Sequence, residues 1–272
     1  NLAARRALKR DVPASLSGTP KYNAHYDDID FQIEADFAGL MAPGQLQSSN
    51  EICMRAGRVM NSGDGIYGGV FVSAMYAAAF FESDPVKLVE AGLACVPARS
   101  LFARTIVGTL EGFRKYPDDW TRTWQLLEDK FNNREQCPAG ALHPFNIDAR
   151  LNAAYIVIGM LYGRGDFART MMLSTQCGQD SDCNPASACG VMGVVLGYEK
   201  LPARFVAGIP EIRDKKFSYT DFTFDSIVES TYKRATALIT KNGGRVNGET
   251  ITVRMQAPKA VPFEDTEKFG SP

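Results

Sequence analysis

The sequence lacks the features that mark a nucleic-acid-binding or a membrane protein. Its 30 Lys and Arg balance 31 Asp and Glu, so the net charge is -1 and we expect no nucleic-acid partner. The most apolar stretch, residues 70–81, is shorter than the about 20 residues that span a membrane, so we expect no membrane partner. The sequence also has no P-loop, no G-x-S-x-G elbow and no internal repeat. These absences argue against a P-loop nucleotide-binding protein, an α/β-hydrolase and a repeat protein.

Cysteine pairs with metal-site or redox spacing are absent too. No two of the six cysteines form a C-x-x-C motif, so we expect reduced and mostly buried thiols, which favours the cytoplasm. The basic residues at 1–12 are not followed by an apolar run, so this segment is no secretory signal. The cysteines are Cys53, Cys95, Cys137, Cys177, Cys183 and Cys189.

Residues 174–202 carry the strongest chemical pattern in the chain. Asp180 and Asp182 stand one residue apart after Gly178, and Pro185 follows them. This order predicts a tight loop that leads into a helix, with Pro185 in the first turn. Two carboxylates in an apolar setting need a positive charge, and Mg²⁺ or Ca²⁺ binds through such oxygens. The alternative from residue types alone is a capping aspartate beside a solvated one.

The same stretch resembles the ADP-ribosylglycohydrolase family. The similarity lies in the G-x-D-x-D pattern before a small, glycine-rich helix that ends at Leu-Pro, and it covers about residues 25–203. Residues 65–69, 90–97, 151–155 and 161–167 also contribute to it. The resemblance implies an all-α orthogonal multi-helix bundle with a cleft for one or two Mg²⁺ ions. It further implies hydrolysis of an anomeric bond of ADP-ribose, or of a related ribosyl substrate, in a small molecule or an ADP-ribosylated protein.

The resemblance assigns both the catalytic and the metal-binding role to Asp180 and Asp182. Where this chain has Cys183, a further candidate ligand, the family often has a metal-binding threonine, and a thiol is a poor ligand for a hard ion. Either water or Asn184 replaces it, or the second metal is lost or weakened. The family also draws acids from a Thr-Asp-Asp run nearer the N-terminus. Asp27-Asp28 is the only local candidate for that run, so Asp28 is a further candidate ligand, with a solvated helix face as the alternative. The chain is therefore expected to begin partway into the family fold.

A glycine-rich segment between two predicted helices is interpreted as part of the substrate site. Glycines at the start of a helix expose backbone N–H groups, which suits a diphosphate or the edge of a ribose. In the family a loop at this place borders the substrate, and the alternative is a plain turn capped by Asp64. The candidates are Asn61, Gly63, Asp64, Gly65, Tyr67 and Gly68.

Four other positions complete the predicted substrate site: His143, Asn152, Gly178 and Asn184. His143 shortly precedes the helix with Asn152, where family members often have a histidine, and a structural role is its alternative. A buried Asn152 needs hydrogen-bond partners. It would orient a metal-bound water or a sugar hydroxyl, or it would join two helices.

Apolar spacing predicts a chain that is almost entirely helical. We expect helices over about 22–41, 46–60, 147–162 and 227–239, and a long helix that follows the glycine segment and ends near Phe81. Asn247-Gly248 predicts a small β-hairpin. The chain is therefore divided into an N-terminal segment (1–21), a helical domain (22–243) and a β-hairpin with a tail (244–272).

Two other functions remain open from the sequence. The glycine-rich contacts would also suit a glycosidase or nucleoside hydrolase that acts on another furanoside. Alternatively, Cys183 and the missing N-terminal acids would leave an incomplete metal site in a non-catalytic ligand-binding module. The number of oxygen ligands that converge near Asp180 discriminates between these readings.

Overall fold

The computed structural model describes residues 2–132 and 147–269. In these ranges the regular secondary structure is helical apart from one two-stranded sheet, which confirms the all-α bundle with a small C-terminal β appendage. The first eight helices are α1 (Leu2–Leu8), α2 (Asp30–Glu34), α3 (Asp36–Leu40), α4 (Leu46–Gly57), α5 (Asp64–Ala79), α6 (Pro85–Leu93), α7 (Leu101–Lys115) and α8 (Trp120–Phe131). The later ones are α9 (Ala149–Gly163), α10 (Phe167–Gln176), α11 (Cys183–Leu196), α12 (Ala203–Val206), α13 (Ile209–Ile212) and α14 (Phe224–Lys241).

Two buried helices form the centre of the bundle. Every residue of α5 after Asp64 is buried, and in α9 Arg150 alone is not. Helices α2, α3, α4 and α6 pack around α5, whereas α7, α8 and α10 pack around α9. Helix α11 contacts both central helices. A hydrogen bond between Asn184 and Asn152 places the start of α11 beside the first turns of α9.

Helix α11 approaches α5 closely through one of its glycines. A Cβ atom at Gly190 would overlap the hydroxyl of Tyr76, which lies on α5. Gly193 has room for a side chain, and Gly197 ends the helix with a φ of +74°. Of these three glycines, Gly190 is therefore the one that close helix packing requires.

The helix predicted over residues 22–41 is wrong in its extent. Two short helices, α2 and α3, stand there and are joined at Ala35. The residues before them bond to another segment: the N–H of Ile29 donates to the carbonyl of Ile147 (3.0 Å), and the N–H of Ala149 donates to that of Asp27 (3.0 Å). Because these backbone groups bond to another segment and not within a helical turn, the helix does not extend back to Tyr22.

The glycine-rich segment is helical over more of its length than expected. Helix α5 begins at Asp64, so Gly65, Tyr67 and Gly68 lie in its first turns and Gly63 is its N-cap. The prediction that the long helix begins only after the glycine segment is therefore wrong. Side-chain caps start four of the other helices, since Asp84, Ser100, Asp119 and Asp166 each accept a backbone N–H from the first turn of the helix that follows.

The C-terminal residues return to the helical bundle after the hairpin. Strands β1 (Arg245–Asn247) and β2 (Thr250–Thr252) pair antiparallel, as predicted. Residues 256–266, here called the strap, then run along the bundle. Two backbone-to-backbone hydrogen bonds join it to the bundle, from Gln256 N–H to the carbonyl of Gly44 (2.9 Å) and from Val261 N–H to that of Cys95 (2.9 Å).

Two predictions from composition can be compared with the described residues. The five cysteines among them are free thiols, and Cys53, Cys95 and Cys177 are buried. Over residues 2–132 and 147–269 no helix combines the length and the apolar character needed to cross a membrane.

Candidate active site

The two aspartates of the predicted metal loop converge. One ligand atom each of Asp180, Asp182 and Cys183 lies within 4.8 Å of the other two, and within the described residues this is the group of this kind that the structure contains. The loop turns sharply, because Gly178 and Gln179 both have positive φ angles (+93° and +52°). Helix α11 then starts at Cys183, with Pro185 in its first turn as predicted.

The electrostatics of the loop favour a positive charge between the aspartates. Burial, followed by the hydrogen bond with Asp182, raises the pKa of Asp180, and the same hydrogen bond lowers the pKa of Asp182. Two carboxylates this close repel each other when both are ionised, and a positive charge beside them would relieve that repulsion. Burial and the neighbouring Asp180 also raise the pKa of the Cys183 thiol to about 12, which makes it a poor ligand for a hard cation.

Asn152 connects this loop to the first turn of α9. Its Nδ2 donates to the carbonyl of Asp148 (2.8 Å) and to Oε1 of Gln179 (2.9 Å). Its Oδ1 accepts from the backbone N–H of Asp180 (3.3 Å) and from Nδ2 of Asn184 (2.8 Å). The sequence prediction that a buried Asn152 needs partners is confirmed, and those partners belong to the aspartate loop.

Asn184 has an acceptor atom without a donor. The residue is fully buried, and its Nδ2 is used on Asn152, yet its Oδ1 has no hydrogen-bond partner among the described residues. A buried acceptor without a donor costs about 1–3 kcal/mol. A bound water or a ligand hydroxyl would remove this cost.

A second group of acids surrounds Arg150 at the start of α9. Asp148 caps α9 by accepting from the N–H of Leu151 (3.0 Å), and it also accepts from Arg150 (3.4 Å). Burial raises the pKa of Asp64 to about 6, although the N–H of Phe102 (3.2 Å) and the charge of Arg150 oppose this shift. Asp27 has a raised pKa for the same main reason, burial.

Asp28 lies in the same region, but its carboxylate is paired with a histidine. Its Oδ2 is 2.6 Å from Nδ1 of His25, and burial raises its pKa to about 7 against the opposing effect of His25. Asp28 is joined to Asp148 by a backbone bridge. It is thus placed at the start of α9, but it is outside the group of ligand atoms formed at Asp180.

The predicted glycine segment is held by side chains rather than left open. Asn61 is fully buried and bonds to three backbone groups, those of Tyr26, Asp28 and Phe31. Gly65 lies against Tyr26 and Asn61, and Gly68 lies against the side chains of Gln32 and Ala149. Asp64, the first residue of α5, uses its carboxylate on α7 instead of capping its own helix.

The strap covers the N-terminus of α5, where the glycine-rich sequence predicts an anionic ligand. Oε2 of Glu264 accepts from the N–H of Gly63 (3.0 Å), and its Oε1 pairs with Arg58. The backbone N–H of Glu264 donates to the hydroxyl of Tyr67 (2.6 Å). A carboxylate of the chain itself therefore occupies the donor that was assigned to a phosphate or a ribose.

Sequence reasoning placed some residues well and missed others. His143 lies outside the described residues. Asn152, Asn184, Gly178 and the two aspartates come together. The glycine segment approaches the start of α9 through Asp64, whose charge interacts with that of Arg150. Gln179, Asp148, Arg150 and Glu264 were missed. Arg150 carried a signal, since it is the single charged residue in the apolar helix α9.

The fold and this site together define a class: an all-α protein with paired aspartates in the loop before a buried, small-residue helix. The chain matches the model of the ADP-ribosylglycohydrolase family over residues 1–237, and it belongs to that family. Membership indicates a glycosyl hydrolase that acts on ADP-ribose-like substrates. Comparisons with curated proteins and with solved structures found no match.

Proposed function

We propose that this protein is a metal-dependent glycoside hydrolase that cleaves an anomeric bond of ADP-ribose or of a related ribosyl substrate. The observation that carries the proposal is the convergence of Asp180 and Asp182 in a family member whose substrates are of this type. The substrate would be an ADP-ribosylated protein or a small molecule.

The donor set fits one hard cation in part. Two carboxylates lie close enough to share a cation. Oxygen ligands of this kind suit Mg²⁺, which keeps several waters in most protein sites. Cys183 does not fit, because sulfur is a soft ligand and Mg²⁺ is a hard ion. We therefore assign the metal to Asp180 and Asp182, and we assign neither Cys183 nor Asp28 to it.

The reaction would divide between the cation and the residues around it. Bound by the two aspartates, Mg²⁺ would supply a Lewis acid that orients ribose hydroxyls and water. The carboxylates of Asp180 and Asp182 would also stabilise the positive charge that develops at the anomeric carbon. Asn184 would accept a hydrogen bond from a hydroxyl or a water through its free Oδ1. Gly178 would allow close approach of the substrate to the loop.

The test is release of ADP-ribose from an ADP-ribosylated protein, measured by chromatography with MgCl₂ and with EDTA. We expect release with Mg²⁺ and a loss of at least about 100-fold in Asp180→Asn and Asp182→Asn, because metal chemistry contributes several kcal/mol. Asp221→Asn is a matched control, since this side chain is exposed and pairs with Lys216 at the surface. Intact substrate together with measurable ADP-ribose binding would refute the proposal and favour a ligand-binding module. Release from another furanoside alone would favour a different glycosidase.

A further inference from the structure

We propose that Asn152 is a positioning residue of the aspartate loop. It fixes the backbone of Asp180 and the direction of the Asn184 side-chain amide, and it thereby sets the affinity of the loop for a divalent cation. This inference rests on the proposed function, because the cation is the one assigned there to Asp180 and Asp182.

The hydrogen-bonding capacity of Asn152 is fully used inside the protein. A side-chain amide has two N–H donors and an oxygen with two lone pairs. All four are engaged, at distances of 2.8, 2.9, 2.8 and 3.3 Å, and the residue is fully buried. Asn152 thus has no atom left for a substrate, so it acts on the site through its neighbours.

Two backbone groups fix which way the Asn152 amide points. The carbonyl of Asp148 can only accept, so it requires Nδ2 on its side. The N–H of Asp180 can only donate, so it requires Oδ1 on the other side. This direction passes to Asn184, whose Nδ2 must face Asn152. Oδ1 of Asn184 is therefore the atom left without a partner, and it is an acceptor.

A series of hydrogen bonds that starts at Glu128 fixes the orientation of the Asn152 amide independently, and in the same sense. Glu128 on α8 offers only acceptors when ionised, so the hydroxyl of Tyr155 donates to it. That hydroxyl then accepts from Nε2 of Gln179 (3.4 Å), which leaves Oε1 of Gln179 to accept from Asn152. The donor and acceptor roles agree from Glu128 to Asn184 without a conflict.

The backbone of the loop needs such support. Gln179 has a φ of +52°, a left-handed conformation that is unfavourable for a residue with a side chain and persists where the surroundings hold it. Asn152 bonds both to the side chain of Gln179 and to the next backbone N–H, that of Asp180. Asn152 thus holds the loop in the conformation that brings the two aspartates together.

The experiment is a titration of the full chain with Mn²⁺, followed by electron paramagnetic resonance of the free and bound ion, which requires no turnover. We expect Asn152→Ala to weaken Mn²⁺ binding by roughly 10- to 100-fold, the usual cost of losing a partner that orients a metal ligand. Asn50→Ala is the matched control, since Asn50 is also buried on a helix and donates to the backbone of Lys259, away from the loop. The affinity of Asn50→Ala for Mn²⁺ should stay within about twofold of that of the wild type.

The outcomes separate the inference from the proposed function. Equal Mn²⁺ affinity in Asn152→Ala and the wild type would overturn the inference alone. Absence of Mn²⁺ binding in the wild type would overturn it together with the metal part of the proposed function.

A second variant keeps the test valid if Asn152→Ala does not fold. Gln179→Ala lies in a partly exposed loop and removes one of the four bonds of Asn152. We expect Mn²⁺ binding to weaken by roughly 2- to 10-fold, which corresponds to one hydrogen bond. Unchanged binding in this variant would also count against the inference.

Discussion

Replacement of Asp64 with Asn should change how the stability of the protein depends on pH. Asp64 opens α5 and is largely enclosed, with Arg150 as its neighbouring positive charge and Asp27 and Asp148 as neighbouring negative ones. Its pKa rises from 3.8 to about 6, so burial destabilises the charged carboxylate more than Arg150 and the N–H of Phe102 stabilise it.

The sign and the size follow from proton binding. Between pH 3.8 and about 6 the folded protein keeps a proton on Asp64 that the unfolded chain has lost. The free energy of unfolding therefore falls as the pH rises through this window, and it levels off above the folded pKa. A shift of about two pKa units corresponds to about 3 kcal/mol, as an upper value. Asn has no such proton, so this part of the pH dependence disappears in Asp64→Asn.

The assay is urea unfolding of wild type and Asp64→Asn at several pH values from 4 to 7.5, followed by tryptophan fluorescence. The free energy of unfolding of Asp64→Asn minus that of the wild type should increase by about 2–3 kcal/mol as the pH rises over this range. Asp221→Asn removes a carboxylate that is exposed at the surface, and its profile should follow the wild type. A difference between Asp64→Asn and wild type that is the same at every pH would refute the reasoning.

Two further predictions concern the strap and the loop. Glu264→Gln leaves the partly buried Arg58 without its carboxylate, so urea unfolding should give a loss of about 2 kcal/mol, and an unchanged midpoint would contradict the role of this pair. Cys183→Ser replaces a protonated thiol with an oxygen ligand, so calorimetry should give tighter Mg²⁺ binding than in the wild type. Equal or weaker binding would mean that residue 183 does not face the cation.

The parts of the site that the sequence predicted are encoded within a few neighbouring residues. Gly178 permits the positive φ of the turn, the two aspartates stand one residue apart, and Pro185 suits the first turn of the helix. The helix caps were predictable for the same reason, since Asp84 and Ser100 bond to N–H groups only two and three residues away. Such features depend on local geometry, which a sequence pattern reports directly.

The parts that were missed depend on contacts between distant segments. Glu264 reaches Gly63 across 201 positions of the chain, and Asp64 reaches the start of α7 across 38. The turns before α2 form because backbone groups there bond to residues 147–149. Neither spacing nor helix propensity carries information about such partners, so the glycine segment was predicted as an open anion site although Glu264 occupies it.

Neutral amides suit the support of a cation site better than charged side chains do. A lysine or arginine at position 152 would also bond to acceptors of the loop, but it would neutralise Asp180 and repel a metal ion. In the described part of the chain, no Lys or Arg forms an ion pair with either aspartate of the loop, whereas amide groups of Asn152 and Asn184 lie beside them. The amides fix the conformation through the direction of their donors and acceptors, and they leave the negative charge of the carboxylates available to a cation.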